Sequence, residues 1–153
     1  MTLEGKFLAT VIVVSLLSLA FTPKNKRLEM QFIILFVQFP TWILGLSAVE
    51  LGLLEYPARE LATVNRTSFI FEYMVLPILC VHVNNYYPWQ AERLVKAMYF
   101  TGISLLITGI EVFLEQYTLL IKYSGWQWYW TFISITLVFW LNQKMVKWFF
   151  KRR

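Results

Sequence analysis

The chain has 153 residues, of which 58% are hydrophobic and 15% charged; 14 Lys and Arg stand against nine acids, all of them Glu, for a net charge of +5. With a mean hydropathy of +0.56, it lies far from a soluble domain, which carries about 25% charged residues, and a chain of this length cannot hide so much apolar surface in one aqueous core. An ordinary water-soluble globule is excluded, and lipid is the expected solvent.

A membrane helix needs about 20 mainly apolar residues to cross roughly 30 Å of hydrocarbon. Cutting the chain at its charge clusters and prolines gives five such stretches, at 7–21, 30–54, 68–87, 98–120 and 126–146. The first, FLATVIVVSLLSLAF, is short and is stopped by Lys24, Lys26 and Arg27. Ser18-Leu19-Ala20 resembles a signal-cleavage site, but Glu4 weakens a positive leader and the basic cluster behaves as a cytoplasmic anchor, so the span is expected to be retained. If it is cleaved or lies at the interface, four spans are left. The expected fold is therefore all-α, a polytopic transmembrane bundle forming a single integral membrane domain over 1–153.

Orientation follows from the positive charges of the short loops. With the N-terminus outside, Lys24, Lys26, Arg27, Arg93, Lys96, Lys144, Lys147, Lys151, Arg152 and Arg153 fall on the inner side, ten of the 14, against Lys6, Arg59, Arg66 and Lys122 outside. The prediction is N-terminus out and C-terminus in. The tail Lys147-Trp148-Phe149-Phe150-Lys151-Arg152-Arg153 suits anionic lipid head groups, and so short a tail after a span favours lipid over nucleic acid. Tyr86, Tyr87 and Trp89 mark the inner edge of the third span, and Tyr123, Trp126, Trp128, Tyr129 and Trp130 the outer edge of the fifth.

Charged groups within the hydrocarbon face the bundle interior and pair. Glu50, Glu55, Glu60, Glu72, Glu111 and Glu115 all fall in the outer half, with Arg59, Arg66 and Lys122 against them. Steps of three and four align Ser104, Thr108, Glu111, Glu115, Thr118 and Lys122 into one polar stripe on span four. Gln38, Thr41, Gly45, Ala48, Gly52 and Glu55 make a small and polar stripe on span two, and Gln127, Thr131 and Ser134 a shorter one on span five. These stripes are expected to face one another. The candidate pocket is Glu50, Glu55, Arg59, Glu72, Ser104, Thr108, Glu111, Glu115 and Lys122.

Glu111 and Glu115, one turn apart, would repel if both were ionised, so a proton, a bound cation, or ion pairing with Arg59, Arg66 or Lys122 is expected to neutralise them. No His or Cys spacing specifies a metal, and no cofactor is implied. His82, beside Asn84 and Asn85, is expected to hydrogen-bond within the bundle, and Cys80 stands alone. Pro40 and Pro77 should kink their helices and each free a carbonyl. Asn65-Arg66-Thr67 matches a glycosylation sequon.

Phe21-Thr22-Pro23, Glu55-Tyr56-Pro57 with Arg59, Phe71-Glu72-Tyr73 with Pro77, Ile110-Glu111 with Glu115, Tyr117-Thr118 and Ile121-Lys122-Tyr123, followed by the stretch from Trp126 to Trp130, carry a resemblance. From about Phe21 onward the chain resembles a family of small polytopic membrane proteins of uncharacterised activity from spore-forming Firmicutes, which implies a bacterial cytoplasmic membrane location. Pro57-Ala58-Arg59-Glu60 departs from the Pro-x-Glu-Glu of membrane carotenoid cyclases by an Arg in place of an acid.

The leading functional expectation is an outer Glu-rich pocket that binds or moves a proton, a cation or a cationic solute. The alternatives are a lipid- or isoprenoid-modifying enzyme, with Glu72, Glu111 or Glu115 as general acid and Arg59 steering an anionic head group, and an assembly protein whose stripes only pack helices. Five helices enclose little space, so transport would call for a homo-oligomer.

Overall fold

A computed structural model describes residues 3–151 as an almost wholly helical chain. The helices are α1 (Leu3–Ser18), α2 (Arg27–Glu50), α3 (Leu76–Asn85), α4 (Arg93–Tyr117) and α5 (Trp128–Phe149). A π-helical turn, Phe71–Val75, leads into α3, and two short 3-10 turns, Leu19–Phe21 and Lys24–Lys26, join α1 to α2. In lipid a helix satisfies every backbone group internally, which is why runs rich in Val and Ile are helical here despite their strand propensity.

Three helical stretches are long and apolar enough to cross a membrane: Leu3–Phe21, Lys24–Glu50 and Arg93–Tyr117. The chain is thus a helical protein with membrane-spanning character. The other two expected spans differ for visible reasons: the third is broken by its π turn, whereas α5 is continuous but made less apolar by Asn142, Gln143, Lys144 and Lys147 in its second half. Large apolar side chains stand exposed on α2, α4 and α5, among them Leu35, Phe39, Leu106, Phe113 and Leu137. A surface in water rarely carries so many on every helix.

Helix α2 is the centre of the bundle, packing on α3, the π turn and α5, while α4 packs on α5 and α1 rests on the π turn. Ile33, Val37, Cys80, Val81 and Phe139 fill one core at the α2–α3–α5 junction. A second core gathers Leu8, Ala48, Ile70, Leu114 and Leu120 at the end where α2 and α4 finish.

That end is closed by two connections that the sequence reading treats as span and loop. Strands β1 (Leu54–Glu55) and β2 (Lys122–Tyr123) pair antiparallel, Leu54 opposite Tyr123 and Glu55 opposite Lys122. Helix α2 stops at Glu50 because Gly52, at φ +69°, takes the left-handed conformation after it. The Gly52 amide donates to Val49 O and the Leu53 amide to Ala48 O, closing the helix as a glycine terminator does. The expected stripe on span two is therefore shorter: Gln38, Thr41, Gly45 and Ala48 lie on the helix, whereas Gly52 and Glu55 lie beyond it. Likewise α4 ends at Tyr117, which takes Thr118 and Lys122 off its stripe, and Gln127 precedes α5.

Candidate functional site

Between α2, α3, α4 and α5 lies a cavity of about 290 Å³. Its walls are mainly apolar, and Glu72 and Glu111 both line it.

Glu72 reaches the cavity through a local break in its helix. The Leu76 amide donates to Phe71 O, five residues back, so the next donor in that register would be residue 77. Residue 77 is proline and has no N–H. The carbonyls of Glu72 and Tyr73 are instead met from α2: Thr41 Oγ1 donates to Glu72 O at 2.7 Å and Gln38 Nε2 to Tyr73 O at 3.0 Å. The π turn thus rotates Glu72 onto the small stripe of α2. The carboxylate fills the space beside Gly45, where a Cβ would come within 2.7 Å of Glu72 Cδ and Oε1. The Tyr56 hydroxyl donates to Glu72 Oε1 at 3.3 Å.

Glu111 is held from the opposite side. Tyr123 Oη donates to its Oε1 at 2.7 Å, and Thr131 Oγ1 lies 2.6 Å from the same oxygen. Trp126 Nε1 donates to Thr131 Oγ1 at 2.7 Å. The β1–β2 ladder makes this possible. Alternation along a strand turns Tyr123 inward when Lys122 turns out, and the amides of Ser124, Gly125 and Trp126 all point at Leu53 O, folding the turn so that the indole reaches α5.

The two tyrosines stand outside the helical spans, and both phenols are pushed up from the usual range. For Tyr56 burial is the main cause, with the Glu72 and Glu111 carboxylates adding to it. For Tyr123 burial again leads and Glu111 follows. Each phenol therefore stays a donor at neutral pH.

The cations expected to neutralise the carboxylates are engaged elsewhere. Arg59 donates from Nε to Asn65 O and from Nη1 to Tyr56 O, both at 2.8 Å, so it clamps its own loop. Lys122 Nζ is 3.4 Å from the backbone oxygen of Glu115. Arg66 pairs with Glu50 at 3.6 Å where both side chains are exposed. Glu55 accepts from Ser124 Oγ at 3.1 Å, also exposed, and Glu115 is half-buried. Ser104 and Thr108 are buried on α4, with Ser104 bonded to Thr136 of α5. Of the candidate pocket residues, Glu72 and Glu111 line the cavity; Glu50, Glu55, Arg59, Ser104, Thr108, Glu115 and Lys122 do not. The partner of Glu111 across the cavity is Glu72, on another helix, rather than Glu115 one turn away. Among the described residues no group of His, Cys and acids is arranged to hold a metal.

Glu60, outside the candidate set, accepts from Ser68 Oγ and the Ile70 amide at the start of the π-broken helix. His82 Nε2 lies 2.9 Å from Ser18 Oγ, tying α3 to α1. Outside the candidate pocket, Glu29 of α2 and Asn84 of α3 are buried and hydrogen-bonded to each other, and Asn142 and Gln143 are buried on α5. The visible signal was an amide pair inside an otherwise apolar helix. Arg152 and Arg153 of the expected lipid-binding tail lie outside the described residues.

Comparison with protein-family models, with curated proteins and with solved structures finds no match.

Proposed function

We propose that the chain is a five-span protein of the cytoplasmic membrane, N-terminus outside, whose Glu72–Glu111 cavity takes up a proton and exchanges it for a monovalent organic cation. The observation that carries this reading is the convergence of two carboxylates on one apolar cavity while Arg59 and Lys122 bond elsewhere. Two carboxylates so placed repel, and one proton or one cation between them relieves the repulsion. Apolar walls serve a compact hydrated ion badly, because its water must be replaced by oxygen ligands. A cation of spread charge loses less hydration and gains the face of Trp126, which lines the same cavity. The ten cations grouped in three connections support the orientation. That orientation puts the hairpin and the mouth of the cavity on the outer side, and a homo-oligomer would complete a path through the bilayer.

The test is calorimetric titration of the nanodisc-embedded protein with benzyltrimethylammonium in weakly buffered solution, with a dye reporting protons. Binding accompanied by proton release is expected, and Glu72→Gln and Glu111→Gln should each remove the release. Binding and release unchanged in both variants, or absent in the native protein, would overturn the reading and favour a packing role for the stripes.

A further inference from the structure

Along the α4–α5 pair lies a second, open groove of about 620 Å³, which shares no lining residue with the carboxylate cavity. Its chemistry is graded along its length. At one end stand Arg93 and Lys96, which share a helix face because they are three residues apart, together with the ring of Tyr87. Beyond them the walls are Phe100 of α4 and Leu137 and Trp140 of α5. Lys144, one turn past Trp140, places its ammonium 5.4 Å from the centre of that ring. Among the described residues neither the Arg93 guanidinium nor the Lys96 ammonium meets a carboxylate.

We infer that this groove is a binding site for one anionic phospholipid, its phosphate on Arg93 and Lys96 and one acyl chain along the Phe100–Trp140 wall. The argument is one of complementarity. A phosphodiester needs N–H donors at the depth where a helix enters the membrane, and Arg93 is the first residue of α4, one of the helices able to cross it. The acyl chain below the phosphate is apolar, and Phe100, Phe132, Ile133, Leu137 and Trp140 offer it an apolar lining. Ser104 and Thr136, which are polar and close by, are satisfied by each other at 2.9 Å and make no demand on the lipid. A zwitterionic lipid would bring a third cation to a place that already holds two. A free phosphate would use the basic end and leave the apolar wall uncovered, so the lipid is the occupant that fits the whole groove. Nothing here depends on the Glu72–Glu111 cavity.

The experiment is native mass spectrometry of protein released from bilayers of equal phosphatidylglycerol and phosphatidylcholine. One retained phosphatidylglycerol per chain is expected. Each basic group near a membrane surface contributes on the order of 1 kcal/mol, so the double variant R93Q/K96Q should lower retention on the order of tenfold or more. Ala97→Phe, which fills the groove from an exposed position without changing charge, should do the same. Lys147→Gln with Lys151→Gln, in the tail, should leave retention unaltered. Equal retention of both lipids, unchanged retention in R93Q/K96Q and Ala97→Phe, or a loss in the tail variant as large as theirs would each overturn the site.

Discussion

The carboxylate of Glu72 occupies the space that Gly45 leaves empty: a Cβ at position 45 would lie 2.7 Å from Glu72 Oε1 and 2.9 Å from Thr67 Oγ1. The absence of a side chain on α2 and the presence of an acid on the π turn are therefore one feature. Gly45→Ala should test it cleanly. Alanine is the better helix former by about 1 kcal/mol; the nearest obstructing atoms are the far end of the Glu72 side chain, which can swing into the cavity it lines, and Thr67 Oγ1 has only to shift slightly, so the fold should survive with a melting temperature within a few degrees of the native. The site should not survive, because the displaced carboxylate leaves Tyr56. Proton release on cation binding is expected to fall as far as in Glu72→Gln, while circular dichroism is unchanged. Native behaviour in the titration would show that the Gly45 contact is incidental.

Pro77 and the two donors of α2 should behave as a coupled unit. Thr41 and Gln38 donate to the carbonyls of Glu72 and Tyr73, which the proline and the π turn leave without amide partners. Thr41→Val and Gln38→Leu should each destabilise the protein by roughly 0.5–2 kcal/mol, since side-chain hydrogen bonds between helices in lipid are worth less than in a dry core. With Pro77→Ala in the background an amide becomes available, and the cost of Thr41→Val should shrink. Reversible unfolding in mixed micelles measures the cycle; strict additivity would refute the coupling.

Much of this arrangement was legible in the sequence, and the limits have physical causes. Prolines were expected to free carbonyls, and the 3-4 spacing put Gln38, Thr41 and Gly45 on one face, because both follow from local geometry. What spacing alone cannot supply is the place where a helix stops. Gly52 fits the stripe of small residues as well as it fits a left-handed terminator, and only the terminator lets Leu53 gather the turn that aims Trp126 and Tyr123. For the same reason Glu111 was read against Glu115, its neighbour along the helix, when its partner across the cavity is Glu72. The latter relation depends on a π turn, a register shift of one residue that leaves no mark in the hydrophobic pattern. Arg59 illustrates a further limit: a cation near acids reads as an ion pair, yet backbone carbonyls in its own loop compete for a guanidinium and here hold it.

Stability should be lost at high pH through Tyr56 and Tyr123. Both phenols are raised in the folded protein, chiefly by burial. Below the unfolded value of about 10 both states keep the proton and the two groups contribute no slope. Above it the unfolded chain ionises first, binds fewer protons than the folded one, and folding weakens as pH rises, by up to about 1.4 kcal/mol per pH unit for each phenol. Tyr56→Phe should therefore be less stable than native at neutral pH, having lost a hydrogen bond to Glu72, and should show a shallower decline above pH 10. The measurement is the denaturant midpoint against pH, with tyrosinate absorbance followed in parallel. An identical alkaline limb in the variant would mean that Tyr56 ionises freely in the folded state.

Asn142 offers the sharpest question outside the candidate pocket. It is fully buried on α5, and among the described residues neither its Nδ2 nor its Oδ1 has a hydrogen-bond partner. The same holds for both amide atoms of Gln143 and for Asn84 Oδ1. An amide without partners in an apolar setting costs on the order of 1–3 kcal/mol. Leucine keeps the branching and heavy-atom count of asparagine, is the larger of the two and asks for no hydrogen bond; valine is nearer in volume and serves as the second variant. If the amide is truly unpartnered in the native bundle, Asn142→Leu should raise the unfolding midpoint by the equivalent of about 1 kcal/mol, with cation binding at Glu72 and Glu111 unaltered. A fall in stability in both Asn142→Leu and Asn142→Val would mean that water or an ion completes Asn142, which lies about one turn beyond Phe139, a residue of the carboxylate cavity on α5.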